Sequence, residues 1–256
     1  MQIVRSIAVA AVMAVPATPV VAAEPLRICF EDWSPFATVD DGKAAGLMIE
    51  IADLALAATG RSATYSRQPY QRCIANVRSG AQDAILMSSD EDGLVPVGVS
   101  VAYWEVGVIA RPDWPADTYA SLADFAGKTV GLVGAYPYHP LVDAAQAEWK
   151  LHFAADALFN LRMAATGRID ATIADVPWAR IATAREGLPV KVLTPTLFAT
   201  PQHLYLHPAK AAAAADLGPA LQALIDDGSV DRLYRRFTGS SFADARARAA
   251  SALAQD

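Results

Sequence analysis

Two short apolar runs in this chain end in residues that can hold a ligand. Ile85-Leu86-Met87 ends in Ser88, followed by Ser89, and Thr172-Ile173-Ala174 ends in Asp175. A hydroxyl donates or accepts one hydrogen bond, and a carboxylate accepts from an amine or from backbone N–H groups. Asp175 precedes Val176-Pro177. It is therefore an amine receptor, the N-cap of a helix starting near Pro177, or both. A second polar set, Glu31-Asp32-Trp33-Ser34-Pro35-Phe36, follows the apolar run Leu26–Phe30. Trp33 offers an aromatic face on which a ligand, a cation included, can stack. Phe36 is expected to cover the core beneath. Tyr103 and Trp104 sit in an apolar stretch over 97–111, and Tyr136 and Tyr138 follow the strand-like run 128–133. One of each pair is expected to face a ligand and the other to pack. Asp90-Glu91-Asp92-Gly93 lacks the alternating acid spacing of a calcium loop, so it reads as a solvated acidic turn. His139, His152, His203 and His207 show no metal spacing and are expected at the surface.

Ser88 and Asp175 occupy the same place in two copies of one pattern. Ile74 to Ser88 and Leu161 to Asp175 each read as helix, glycine, Asp-Ala, apolar strand, polar tip. Gly80 and Gly167 suit the left-handed position after a helix. The strands are short and apolar throughout, as in a covered parallel sheet. In such sheets ligands gather at the carboxyl ends of strands. Two copies imply two α/β lobes with a cleft between them. Further helices are predicted over 47–59, 142–155, 177–187, 211–226 and 230–237, and strands over 63–66, 191–193 and 203–206. The runs 97–111 and 194–201 are expected to cross between lobes. That assigns 24–104 and 203–237 to lobe one, 105–202 to lobe two, and 238–256 to a tail that is helical or frayed, with little apolar surface to bury.

Arg5, the apolar run after it and Val21-Ala22-Ala23 have the form of a cleavable secretory signal over 1–23. No later stretch is long and apolar enough to span a membrane. The formal charge of −6 and the lack of a basic stripe argue against nucleic acid as a partner. Cys29 and Cys73 are the only cysteines. In an oxidising compartment they form a disulfide or remain two buried thiols.

Several segments together resemble a known family. They are Leu26-Arg27-Ile28 with Asp32 to Phe36, Gly46-Leu47 with Glu50-Ile51-Ala52, Gly80 to Ala84, Leu122 to Gly131, and Asp227 to Leu233, in that order. From about Pro25 to Phe237 the chain resembles the family 3 extracellular solute-binding proteins of the polar amino-acid type. The resemblance implies an α/β, two-lobe periplasmic-binding-protein type II architecture with a hinge of two crossing strands. It implies a periplasmic monomer without cofactor that closes on a small polar ligand. Its membrane partner would be an ABC importer permease or a sensor. The ligand-binding positions so implied are Glu31, Asp32, Trp33, Ser88, Ser89, Tyr103, Tyr136 and Asp175, the last receiving an amino group. The family's carboxylate-clamping arginine is missing after Ser88-Ser89, where the chain is acidic. Arg72 is the candidate replacement, since a cation near a helix start opposes the dipole; the plain alternative is a surface ion pair with Asp32. If no group replaces that arginine, the ligand lacks a carboxylate. A few proteins of this architecture are dehydratases, and Glu31, Asp32, Glu91 and Asp175 could serve acid–base work, but no nucleophile–base motif accompanies them.

Overall fold

The computed structural model describes residues 24–89, 91–134 and 138–252. The expected signal, 1–23, lies outside them. The first pass of the chain gives β1 (Leu26–Phe30), β2 (Thr38–Asp40), β3 (Lys43–Ala45), α1 (Leu47–Ala58), β4 (Ala63–Arg67), α2 (Tyr70–Arg78), β5 (Ala84–Ser88) and β6 (Val95–Pro96). β7 (Ala102–Ala110) then crosses to a second unit of β8 (Thr129–Val133), α3 (Pro140–Ala145), β9 (Lys150–Ala154), α4 (Ala157–Ala165), β10 (Ala171–Asp175), α5 (Val176–Glu186) and β11 (Lys191–Val192). β12 (Phe198–Leu206) returns to the first unit, which α6 (Ala211–Asp226), α7 (Ser229–Thr238) and α8 (Phe242–Ala250) complete.

The strands run in the order β4-β1-β5-β12-β7-β10-β8-β9, with β6 beside β12 and β11 beside β7. β1, β4 and β5 are mutually parallel, as are β8, β9 and β10. Between these sets β7 and β12 pair antiparallel, from Phe198 opposite Val106 to Gln202 opposite Ala102. These two strands are the connection that the crossings implied. Two cores flank it. One gathers Ile28, Leu47, Ile51, Leu86, Leu206 and Leu217. The other gathers Val108, Phe125, Leu132, Ile173, Leu197 and Phe198. Among the described residues no helix is long and apolar enough to cross a membrane.

The repeated Asp has a structural cause. Asp83 Oδ2 accepts from the Arg27 backbone N–H at 2.9 Å, and the Asp83 N–H donates to Arg27 O at 2.8 Å. Asp170 does the same to Thr129: Oδ2 accepts from its N–H at 2.8 Å, and the Asp170 N–H donates to its carbonyl at 2.8 Å. Each aspartate thus ties its strand to the start of the neighbouring one. Each also meets an arginine, Arg27 in one unit and Arg111 in the other. Burial opposes the charge on Asp83, but the Arg27 side chain and amide, with Lys210, outweigh it and hold the pKa at about 2. Gly80 and Gly167 take φ of 76° and 69° after their helices, where a side chain would be strained. The repeat is therefore a framework, and five residues after each aspartate it delivers a polar tip, Ser88 or Asp175.

Cys29 and Cys73 form a disulfide between β1 and α2, with Cα atoms 5.7 Å apart and a sequence separation of 44. Both are fully buried. The bond restricts the unfolded chain over that loop, so replacing both cysteines with alanine is expected to cost about 2–4 kcal/mol. Equilibrium urea unfolding of the two proteins, without reductant, checks this.

Three segments differ from expectation. The predicted helix over 142–155 is the short α3, a single 3-10 turn and the edge strand β9, which pairs with β8 from Thr129–Lys150 to Val133–Ala154. β9 exposes Leu151 and Phe153 on one strand face, and a strand of five residues is too short for that alternation to stand out in the sequence. The return crossing over 194–201 and the strand over 203–206 form one strand, β12. The tail is not frayed over 242–250. Ser241 and Asp244 form a reciprocal capping box, and Phe242 and Ala245 bury in the first core.

Candidate functional site

β5 is buried along its whole length between β1 and β12. Ser88, its last residue, is 1% exposed. α2 begins at Tyr70 and lays that ring over the strand end. Tyr70 OH, Ser88 Oγ and Glu91 Oε1 form a hydrogen-bonded triangle: the hydroxyls reach Oε1 at 2.5 and 2.8 Å and are bonded to each other at 2.6 Å, where either one can donate. Arg78, one helix face along α2, donates to Glu91 Oε2 at 3.2 Å. Burial, then the bond to Glu91, pushes the Tyr70 phenol up to about 12, and the nearby Glu31 carboxylate adds to the rise. The tip of lobe one is thus built around a carboxylate that the protein supplies itself.

The loop that carries Trp33 is fixed by α1. The N–H groups of Leu47 and Met48 donate to Pro35 O and Phe36 O at 3.0 and 2.8 Å. Gly46 holds φ of 121°, and a Cβ there would lie 2.6 Å from Phe36 O, so only glycine allows this approach. The Phe36 ring is buried beneath, and the Trp33 ring leans on it at 4.9 Å. The Trp33 backbone closes the loop with Ala37, its N–H donating at 2.7 Å.

Across from this loop, β10 ends at Asp175. Oδ1 accepts from the Trp178 N–H at 2.7 Å and caps α5. Oδ2 is sealed from solvent without a hydrogen-bond partner. Burial pushes the carboxyl up to about 7; the Trp178 amide opposes this, the Glu105 carboxylate adds to it, and the Trp33 indole eases it. The indole is close enough to act on the charge but does not complete a well-formed bond to Oδ2. Trp33 of lobe one and Asp175 of lobe two therefore face each other across the cleft. Behind Asp175 lies Glu105 of β7, 1% exposed. Arg248 of α8 holds it with Nε to Oε2 at 2.6 Å and Nη2 to Oε1 at 3.1 Å. This two-bonded pair ties the last helix to a crossing strand.

The sequence-predicted residues divide into two groups. Ser88 and Asp175 each end a strand, Trp33 comes within reach of Asp175, and Glu31 lies near enough to Tyr70 to be felt there. Ser89 follows Ser88, half-buried. Asp32 is drawn aside, accepting from Thr38 Oγ1 at 3.0 Å and from Arg67 Nη1 at 3.1 Å. Arg72 does not make the expected pair with Asp32. It is exposed on α2, about 200° around the helix from Tyr70, so the structure does not bring it to the tip. Tyr103 stacks on Phe242 at 6.2 Å, and Trp104 meets Phe198 edge-on at 5.4 Å; each packs on the core of its own side. Tyr136 lies outside the described residues. Glu91 is turned inward and is not the solvated turn that its neighbours suggested. The histidines are half-buried rather than fully at the surface, and among the described residues no metal-binding group of His, Cys, Asp or Glu occurs. Sequence reading missed Tyr70, which carries no local signal, and Arg248. Glu105 was detectable as a lone charge inside an apolar strand.

No protein-family model matches the sequence, and no curated protein does. Solved structures do match. The probable amino-acid ABC transporter extracellular-binding protein ytmK from Bacillus subtilis is similar at TM-score 0.73 and 16% identity, over 84% of this chain and 98% of that one. The L-cystine solute receptor of Neisseria gonorrhoeae, in its unliganded open conformation, is similar at TM-score 0.66 and 18% identity, over 85% and 94%. A histidine kinase sensor domain with similarity to periplasmic binding proteins matches at TM-score 0.67 and 17% identity, over 86% and 98%. With its two cores, its pair of crossing strands and this likeness, the chain has the two-lobe α/β fold of periplasmic-binding-protein type II.

Proposed function

We propose that this chain is an extracytoplasmic solute-binding protein of the family 3 type. It closes on a small polar ligand, amino-acid-like or an amine, and delivers it to the permease of an ABC importer. The observation that carries this reading is the pairing of tips. One structural repeat, built twice, sets Ser88 with Tyr70 and Glu91 on one lobe and Asp175 on the other, with Trp33 between them and only two strands as the hinge. Such an arrangement favours ligand capture by domain closure. A ligand that binds the closed form better shifts the open–closed equilibrium by that difference in affinity. The names of two structural neighbours, an amino-acid ABC transporter binding protein and a cystine receptor, support the reading. The neighbouring histidine kinase sensor domain favours a second one, a receptor subunit that presents ligand to a membrane sensor. A dehydratase role has less support. Glu91 is engaged with Tyr70, Ser88 and Arg78, and Asp32 with Arg67, so these two of the four carboxylates are not poised as acid–base partners.

A thermal-shift screen with amino acids, amines and organic acids tests binding. A native-state ligand at one hundred times its Kd adds about 2.7 kcal/mol of stability. Unchanged ligand after incubation separates binding from turnover. Co-purification of the ligand-loaded protein with a permease, as against a sensor kinase, separates import from sensing.

A further inference from the structure

Resting on the solute-binding reading, we infer that the cleft takes a small organic cation without a carboxylate, an alkylamine or a quaternary amine. Three independent features of the facing tips point there. The first is the tip of lobe one. Ser88 and Tyr70 have one O–H each, and both protons are taken up within the Tyr70–Ser88–Glu91 cluster. Arg78 gives one of its N–H groups to Glu91 Oε2 and partly offsets the charge of that carboxylate. A ligand carboxylate arriving here would meet the like charge of Glu91, which disfavours the ionised pair. Glu31 stands on the same side. Arg72, the expected replacement cation, faces elsewhere.

The second feature is Asp175. Its Oδ1 is used by the α5 cap, whereas Oδ2 is buried without a donor. A buried acceptor left unmade is costly, and an ammonium N–H or the positive charge of a quaternary amine relieves that cost. The third is Trp33, whose indole N–H edge reaches towards Asp175 from the other lobe and whose ring is an aromatic surface of the kind that attracts cations. The groups around Asp175 are the Trp178 amide from α5, Trp33 from the first-lobe loop, and Glu105 from β7. Arg248 and Arg180 lie beyond, beside Glu105. Arg248 is already paired with Glu105, which leaves the immediate surroundings of Oδ2 acidic and aromatic.

The test compares ligands that differ only in the carboxylate: cadaverine with lysine, agmatine with arginine, and choline with glycine betaine. Calorimetric titration of the purified protein is expected to show the member without a carboxylate binding at least tenfold tighter in one pair or more. Asp175→Asn keeps a capping side chain, so it is expected to fold, and it should weaken that ligand at least tenfold. Glu91→Gln is expected to narrow the preference within the pair, because it removes the like charge. Tighter binding of the amino acid or betaine overturns the inference and leaves the solute-binding reading standing. So does an amine that binds Asp175→Asn as well as the parent. If no probe binds, and a broad panel of amino acids, organic acids and short peptides gives no thermal shift, the solute-binding reading falls together with the inference.

Discussion

An Arg248→Ala protein is expected to lose about 3 kcal/mol of stability, because it strands a charge inside the hinge. Glu105 is 1% exposed, and both its oxygens are held by the Arg248 guanidinium. Removing the arginine leaves a buried carboxylate with no partner, and that group carries the penalty. For a chain of this size the loss corresponds to a fall in Tm of roughly 6–12 °C, measured by calorimetry. Glu105→Gln in the Arg248→Ala background is expected to recover part of it, since the uncompensated charge is gone. An apolar pair, Glu105→Leu with Arg248→Met, is expected to be near the parent. If Arg248→Ala leaves Tm unchanged, the bond does not hold α8 to β7. The same pair joins the last helix to a crossing strand, so Arg248→Ala should also alter ligand affinity through the open–closed balance, although Arg248 sits behind Asp175.

The second large effect is a dependence of stability on pH that resides in Asp175. Burial raises its carboxyl to about 7 in the folded protein, while an unfolded aspartate titrates near 3.9. The folded state therefore keeps a proton that the unfolded state has released. The resulting stability is fully present below about pH 4 and is lost as pH rises through about 7, a change on the order of 2–4 kcal/mol. In the absence of ligand, Tm is expected to fall between pH 5 and pH 8, and Asp175→Asn is expected to flatten that slope. Asp83 has the opposite sign: its carboxyl is held at about 2, so its contribution is lost only as pH falls through that value. The two windows do not overlap. A cationic ligand prefers the ionised carboxylate, so its affinity should climb up to pH 7 and then level off. Loss of the Tm slope in the parent protein, or its persistence in Asp175→Asn, would sink this assignment.

The architecture was legible because it rests on local rules written twice. Gly80 and Gly167 end helices with a backbone that other residues resist. Asp83 and Asp170 then begin apolar strands, and the next polar residue marks each strand's tip. The first crossing showed as the long apolar stretch 97–111, and the return crossing as the Thr- and Pro-rich run 194–201. β9 was not legible, because Lys150-Leu151-His152-Phe153 alternates over only four residues and its apolar members, Leu151 and Phe153, face solvent instead of a core. The helix α8 was undervalued for a related reason. Its sequence is short of apolar residues, and what holds it is one capping box, one phenylalanine and one arginine.

By itself, the sequence determined which residues end the strands, where the two repeats lie, and that Trp33 follows the first strand. Those features depend on neighbours a few positions apart, through backbone conformation and periodic burial. The tertiary structure alone decided what each polar group does. Glu91 turns inward because α2 brings Tyr70 over Ser88. Arg72 is excluded because helical rotation carries it away from Tyr70. Asp32 is lost to Arg67, 35 residues on. Glu105 is paired with Arg248, 143 residues on. Hydrogen bonds and ion pairs are satisfied in space, between segments whose separation along the chain says nothing of their contact, so the character of the cleft emerges only when the two lobes are assembled.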